Sequence, residues 1–167
     1  MLDNTAVGCY ISTSNGLIGR GASAMDNRDL GKRFDEVFQK MDRAYERYAR
    51  SCGMTYSSLA LLQLIWERQP CTQKELCALT MLPKQTINTI VMSFYKQGLL
   101  EMLELPEDRR RKSILLSDRG RELAAQILPK ITRAESRSIQ QFSPEEKETF
   151  FRLLERFSAA FCEELNG

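Results

Sequence analysis

There is no histidine anywhere in the 167 residues. That removes the commonest general base and the commonest zinc ligand, so imidazole triads and His-containing metal sites are excluded. Cysteine is sparse and scattered: Cys9, Cys52, Cys71, Cys77 and Cys162 form no CxxC pair. An odd, dispersed set reads as reduced thiols in a cytoplasmic protein, not as a disulfide framework. No glycine loop that could cradle a phosphate occurs, and no GxSxG elbow. No apolar run approaches the roughly 20 residues of a membrane span. Charge of one sign is also missing. Lys and Arg number 24 against 22 Asp and Glu, a net of +2, so a polyanionic partner would have to be met by local concentration of charge. The carboxylate pairs Glu145-Glu146 and Glu163-Glu164 fall at helix ends, where capping and solvation account for them. These absences point away from an enzyme, a metal site or a cofactor.

What is present begins unevenly. Residues 1–25 hold four of the nine glycines and only Asp3 and Arg20 as charges. Lacking a basic start and a long apolar stretch, they do not read as a secretory signal. The expectation is a flexible leader ahead of a natural start at Met25, with an added expression segment as one source of it. From Asp29 the apolar residues recur every three or four positions (Leu30, Phe34, Val37, Phe38, Met41, Tyr45, Tyr48, Cys52), which predicts an amphipathic helix stopped by Gly53. A second helix, Tyr56 to Arg68 with Thr55 as N-cap, is apolar almost all round and is expected to lie centrally.

Two short helices follow in tandem. Thr72-Gln73-Lys74-Glu75 has the form of a capping box, opening a helix that carries Leu76, Cys77 and Leu79 inward and ends near Met81. After Leu82-Pro83 comes a helix over 83–97, burying Ile87, Ile90, Val91 and Phe94 and stopped by Gly98. The period then changes. Leu99 to Leu105 alternates, Pro106-Glu107-Asp108 turns, and Ser113 to Leu116 returns, which predicts a hairpin with Arg109, Arg110, Arg111 and Lys112 at its tip. Ser117 caps a long helix to about Gln141, interrupted or bent at Pro129, and Ser143-Pro144-Glu145-Glu146 opens the last helix, ending near Leu165.

Helix, turn, helix and a basic hairpin give the order of a winged helix-turn-helix, a mainly α fold with a small β wing. A helix can enter the major groove of double-stranded DNA with its N-terminal half, and a cationic wing can reach the adjacent minor groove. Lys84, Gln85, Thr86, Asn88 and Thr89 form the exposed polar set of the second helix, as any half-buried helix has one; their crowding toward the N-terminal end favours DNA. Thr72 and Gln73 open the first helix of the pair. Between residues 70 and 117 seven cations face five acids, so the charge is concentrated at the wing and not spread over the segment.

At these motifs a family resemblance becomes specific. Met54-Thr55-Tyr56, Thr72-Gln73-Lys74-Glu75-Leu76, Gly98-Leu99-Leu100, and above all Asp108-Arg109-Arg110-Arg111-Lys112 leading through Ile114-Leu115-Leu116-Ser117 into Asp118-Arg119-Gly120-Arg121-Glu122-Leu123 resemble the MarR family of bacterial regulators. The likeness runs from about residue 28 to 165. It implies a homodimer held by residues 26–53 and 118–167, a DNA-binding domain over 54–117, and a pseudo-palindromic operator read by helix 83–97 and wing 105–113. It further implies that Asp108 fixes the wing, that Arg110 enters the minor groove, and that Lys84, Gln85, Thr86 and Asn88 face the major groove. Thr89 and Ser93 depart from the family pattern, where basic residues are frequent, and so does Met92, where an acid is common; sequence preference does not carry over.

Relatives often respond to small aromatic compounds or oxidants. Tyr45, Tyr48, Tyr56 and Trp66 are candidates for an aromatic or hydrophobic effector, with plain packing as the alternative. Peroxide sensing by an early cysteine of the first helix is disfavoured, since Leu30 to Met41 contains none; Cys52, Cys71 and Cys77 remain open as redox residues. The rival to a ligand-responsive repressor or activator is a winged helix used only for protein contacts.

Overall fold

The computed structural model describes residues 26–105 and 108–166. The expected leader over 1–25 and the turn residues Pro106 and Glu107 lie outside the described residues. The chain divides into two compact units, residues 1–59 and 60–167.

In the first unit, α1 spans Asn27–Ser51 and the Asp26 side chain caps it by accepting from the Arg28 N–H. Gly53, with φ +72°, supplies the left-handed residue that ends it. Leu30, Phe34, Val37, Phe38 and Met41 share one stripe of α1, and all are exposed. Thr55 caps α2 (Tyr56–Arg68) as expected, its hydroxyl accepting from Ser58 N at 3.1 Å.

The second unit opens with the rest of α2. Leu61, Leu62 and Ile65 are fully buried, whereas Ala60 and Trp66 face outward. Composition alone made the whole helix look central, but a helix presents only part of its circumference to its neighbours. Next come β1 (Cys71–Thr72), α3 (Gln73–Leu79), α4 (Lys84–Lys96), β2 (Leu100–Leu105), β3 (Asp108–Leu116), α5 (Asp118–Ile139) and α6 (Pro144–Asn166). The sheet is antiparallel in the order β1-β3-β2. Two-residue β1 was not foreseen, because so short a strand carries no alternation; it pairs Cys71 with Ile114 and Thr72 with Ser113. Leu79, expected to point inward, is exposed, because α3 ends there and its one buried side chain is Leu76. Nor is the long helix interrupted: α5 runs as one helix through Pro129.

The hairpin differs most. Arg109–Lys112 lie on the returning strand and not at the tip. Pairing is regular from Leu100↔Leu116 to Glu104↔Lys112 and then steps to Leu105↔Asp108. Arg109, Arg110 and Arg111 are therefore surplus on β3, set against no residue of β2. Such a bulge takes residues out of the ladder near a sheet's rim.

One junction joins α4, the hairpin and α5. Gly98, at φ +70°, ends α4. Its carbonyl accepts from the Ser117 hydroxyl at 2.6 Å, and the Leu99 carbonyl accepts from Ser117 N at 3.0 Å. The same hydroxyl accepts from Gly120 N at 3.0 Å and so caps α5. Gly120 is buried with its Cα hard against the Leu99 carbonyl, where a β-carbon would collide with backbone that cannot move aside. Arg121 closes the junction, donating to the Leu116 carbonyl at 2.5 Å and to Asp118 at 2.6 Å.

Two glycine substitutions are therefore expected to act in opposite directions. Gly120→Ala lowers stability by about 2–3 kcal/mol through forced backbone displacement. Gly31→Ala, in an exposed stretch of α1 with open space around it, raises it by about 0.5–1 kcal/mol. Urea denaturation of the two variants beside the parent chain checks both signs.

Candidate nucleic-acid interface

The face in question is built on α4. Ile87, Ile90, Val91 and Phe94 are buried, which turns Lys84, Gln85, Asn88, Thr89, Met92 and Ser93 outward and leaves Thr86 half-buried at the edge. The start of the helix is open. Pro83 occupies the N-cap position without a side-chain cap, and the first helical bond runs from Ile87 N to the Pro83 carbonyl. The amides of Lys84, Gln85 and Thr86 precede that bond, so they are available to a phosphate oxygen and carry the positive end of the helix dipole. Gln85 and Asn88 present carboxamides of the kind that pair bidentately with adenine. Thr89 is partly committed, since its hydroxyl donates to the Gln85 carbonyl at 2.9 Å.

Beside this face lies a concavity of about 580 Å³, lined by Thr72, Gln73 and Lys74 of the α3 start, Lys84 and Met92 of α4, and Lys112 of β3, over a floor that includes Met102 and Ile114. The lysines come from three different elements, and no carboxylate is among the described residues lining it. Cations gathered over a shallow apolar floor attract an extended anion. Lys74 was not singled out from the sequence as a site residue. Its signal was its place directly after the capping Thr72-Gln73, on the turn that faces α4.

Thr72 itself is occupied by the fold. The capping box is complete: Thr72 N and Oγ1 donate to a Glu75 carboxylate oxygen at 2.6 and 2.9 Å, and Glu75 N donates to Thr72 Oγ1 at 3.3 Å. Asp108, Arg109, Arg110 and Arg111 open β3, and their side chains lie outside what is described.

Of the aromatic candidates, Tyr45 and Tyr56 stack within the first unit, ring centroids 5.7 Å apart. Burial, with the Asp42 carboxylate, pushes the Tyr56 phenol up from its ordinary value, so it stays a hydrogen-bond donor at neutral pH. Tyr48 is half-buried on the same helix as Tyr45. Trp66, 40% exposed, belongs to the second unit and opens on a cleft of about 350 Å³ with Leu128, Pro129 and Arg133 of α5.

The order of these elements and the positions of their signature residues have a direct counterpart. Residues 54–112 match the profile of the MarR family. The winged domain of this chain belongs to the MarR family. Among curated proteins, this chain is 25% identical to the HTH-type transcriptional repressor YetL of Bacillus subtilis (strain 168) over 121 residues, 71% of this chain and 72% of the relative. Its fold is that of a solved MarR family transcription regulator (TM-score 0.74, 19% identity, 87% of this chain and 99% of the other). It is shared also by the PcaV transcriptional regulator from Streptomyces coelicolor, solved with its natural ligand (TM-score 0.58, 20% identity, 86% of this chain and 99% of the other). The resemblance read from the sequence, and the winged helix-turn-helix fold, are borne out. Among the described residues no helix is long and apolar enough to cross a membrane.

Cys71 sits next to this face and is chemically quiet. It is buried, with Sγ 4.0 Å from the Ile114 carbonyl. Burial first, and the Glu75 carboxylate second, push its thiol up from 9.0 to about 11. Thiolate is the reactive form, so Cys71 resists oxidation at neutral pH. Because the folded value lies above the unfolded one, the associated stability is complete below pH 9 and is lost as pH climbs toward 11. Iodoacetamide at pH 8 is expected to label exposed Cys162 first and Cys71 last among the four cysteines of the described residues. Mass spectrometry of timed digests reads the order, and early labelling of Cys71 would refute it.

Proposed function

We propose that this protein is a cytoplasmic, homodimeric transcriptional regulator of the MarR type that binds a pseudo-palindromic operator in double-stranded DNA. Residues 54–117 form its DNA-binding domain, with α4 in the major groove and the wing over 105–113 in the minor groove. The observation that carries this reading is the pairing of an uncapped, outward-facing α4 with a concavity lined by Lys74, Lys84 and Lys112 and, among the described residues, by no carboxylate. Phosphates would be held by those lysines, by the open amides of α4, and by Thr72 and Gln73 at the start of α3. Gln85 and Asn88 would read base edges, with Thr86 and Thr89 beside them. Asp108 would fix the wing, and Arg109, Arg110, Arg111 and Lys112 would meet the narrow groove, where guanidinium groups find concentrated negative potential.

Residues 26–53 and 118–167 supply the dimerisation region in this reading. Its support is the exposed apolar surface: the α1 stripe in the first unit, and Phe150, Phe151, Phe157 and Phe161 on α6, a helix without one buried residue. Exposed aromatics at that density are what an interface covers. Candidate contacts for a small aromatic or hydrophobic effector are Tyr45, Tyr48 and Tyr56 in the first unit and, separately, Trp66 in the second. The named relatives are regulators, and the chain is read as no enzyme.

Fluorescence titration against duplex DNA from upstream of its own gene, beside scrambled duplex at two salt concentrations, tests the reading. Preferential, salt-sensitive binding by a dimer is expected. Arg110→Ala should weaken binding across sequences and lower the salt slope by about 1, whereas Gln85→Ala should cost about 1–3 kcal/mol at an adenine and relax preference there. Equal, weak binding to both duplexes, unchanged in either variant, would replace this reading with a protein-binding winged helix.

A further inference from the structure

Near the centre of the outward face of α4 stands an apolar residue that its polar neighbours leave unexplained. Opposite the buried set of Ile87, Ile90, Val91 and Phe94 stand Gln85, Asn88, Thr89, Ser93 and Lys96, all polar, and among them Met92, 38% exposed. Met92 is seven positions on from Gln85. Two helical turns bring it back to within about 20° of the same direction and about 10 Å farther along the axis. Met92 therefore lies near the centre of the face, in line with the residue best suited to read a base. It also lines the concavity with Lys84 and Lys112, so the groove that gathers cations has a thioether in its wall.

A helix lying in the major groove meets phosphates at its flanks and base edges at its centre. The edges offer hydrogen-bond donors and acceptors, and one apolar group, the C5 methyl of thymine. We infer that Met92 is a specificity-determining residue that packs on a thymine methyl, about three base pairs from the base facing Gln85. This inference rests on the DNA-binding reading above. An unbranched, polarizable side chain suits the task, because it can adjust to a methyl without a fixed rotamer. Removing one buried methyl corresponds to about a fourfold loss in affinity.

The test uses the full chain and a duplex selected by it from a randomised pool. Each thymine of that duplex is replaced singly by uracil, which removes the methyl and leaves every hydrogen-bonding group. The expected result is one thymine per half-site at which uracil weakens the wild-type protein about fourfold. Met92→Ala should bind the thymine and uracil duplexes equally at that position while keeping every other preference, and Met92→Leu should restore the difference. Met92 is exposed, so neither variant threatens folding; circular dichroism confirms this. A uniform uracil scan, or a scan unchanged by Met92→Ala, overturns the inference and leaves the regulator standing. Failure of the wild type to select any duplex overturns both.

Discussion

The Leu99 carbonyl and the glycine that lets α5 approach it set the geometry on which the rest of the winged domain depends. Gly98 ends α4, Leu99 leads into β2, and Ser117 ends β3 and begins α5. Three hydrogen bonds centred on Ser117 tie these ends together. The approach is too close for any side chain at residue 120. Direction of α4, direction of the hairpin and start of the following helix are thereby decided by a few backbone atoms. On the proposed reading, in which this face meets two grooves of one duplex, such a fixed angle between helix and hairpin is what the task requires.

Much of this architecture could be read from residue order. The capping boxes at Thr72 and Ser143 have the expected partners, with Ser143 N donating to Glu146 at 2.8 Å. The glycine stops at 53 and 98 both have positive φ. Local rules work there because the groups that satisfy each other are within four residues. They were less informative where distant neighbours decide. Trp66 and Leu79 are apolar residues on helices and looked inward, yet what covers each helix cannot be inferred from its own period. Strand β1 exists because β3 has a free edge beside it, a fact external to Cys71 and Thr72. The three-residue surplus on β3 is likewise a matter of register, which alternation in either strand does not report.

The candidate site was legible as a list of side chains and less so as a surface. Lys84, Gln85, Asn88 and Thr89 stand outward as their period required. What the list missed is that Lys74 of α3 joins Lys84 and Lys112 around one concavity. A net charge of +2 is thus compatible with a polyanion partner, because the acids of this segment are placed elsewhere or engaged: Glu75 in its cap, Glu104 opposite Lys112 in the ladder.

Thr72 has two duties at once. It is the last residue of β1, paired with Ser113, and the N-cap of α3. The edge of the sheet and the first helix of the pair therefore cannot open independently, since fraying of either removes the anchor of the other. The helix-turn-helix here is not a cassette mounted on a sheet. It belongs to one cooperative unit with the wing, in which loosening at the rim of the hairpin is transmitted to the helices at the cost of a single shared residue.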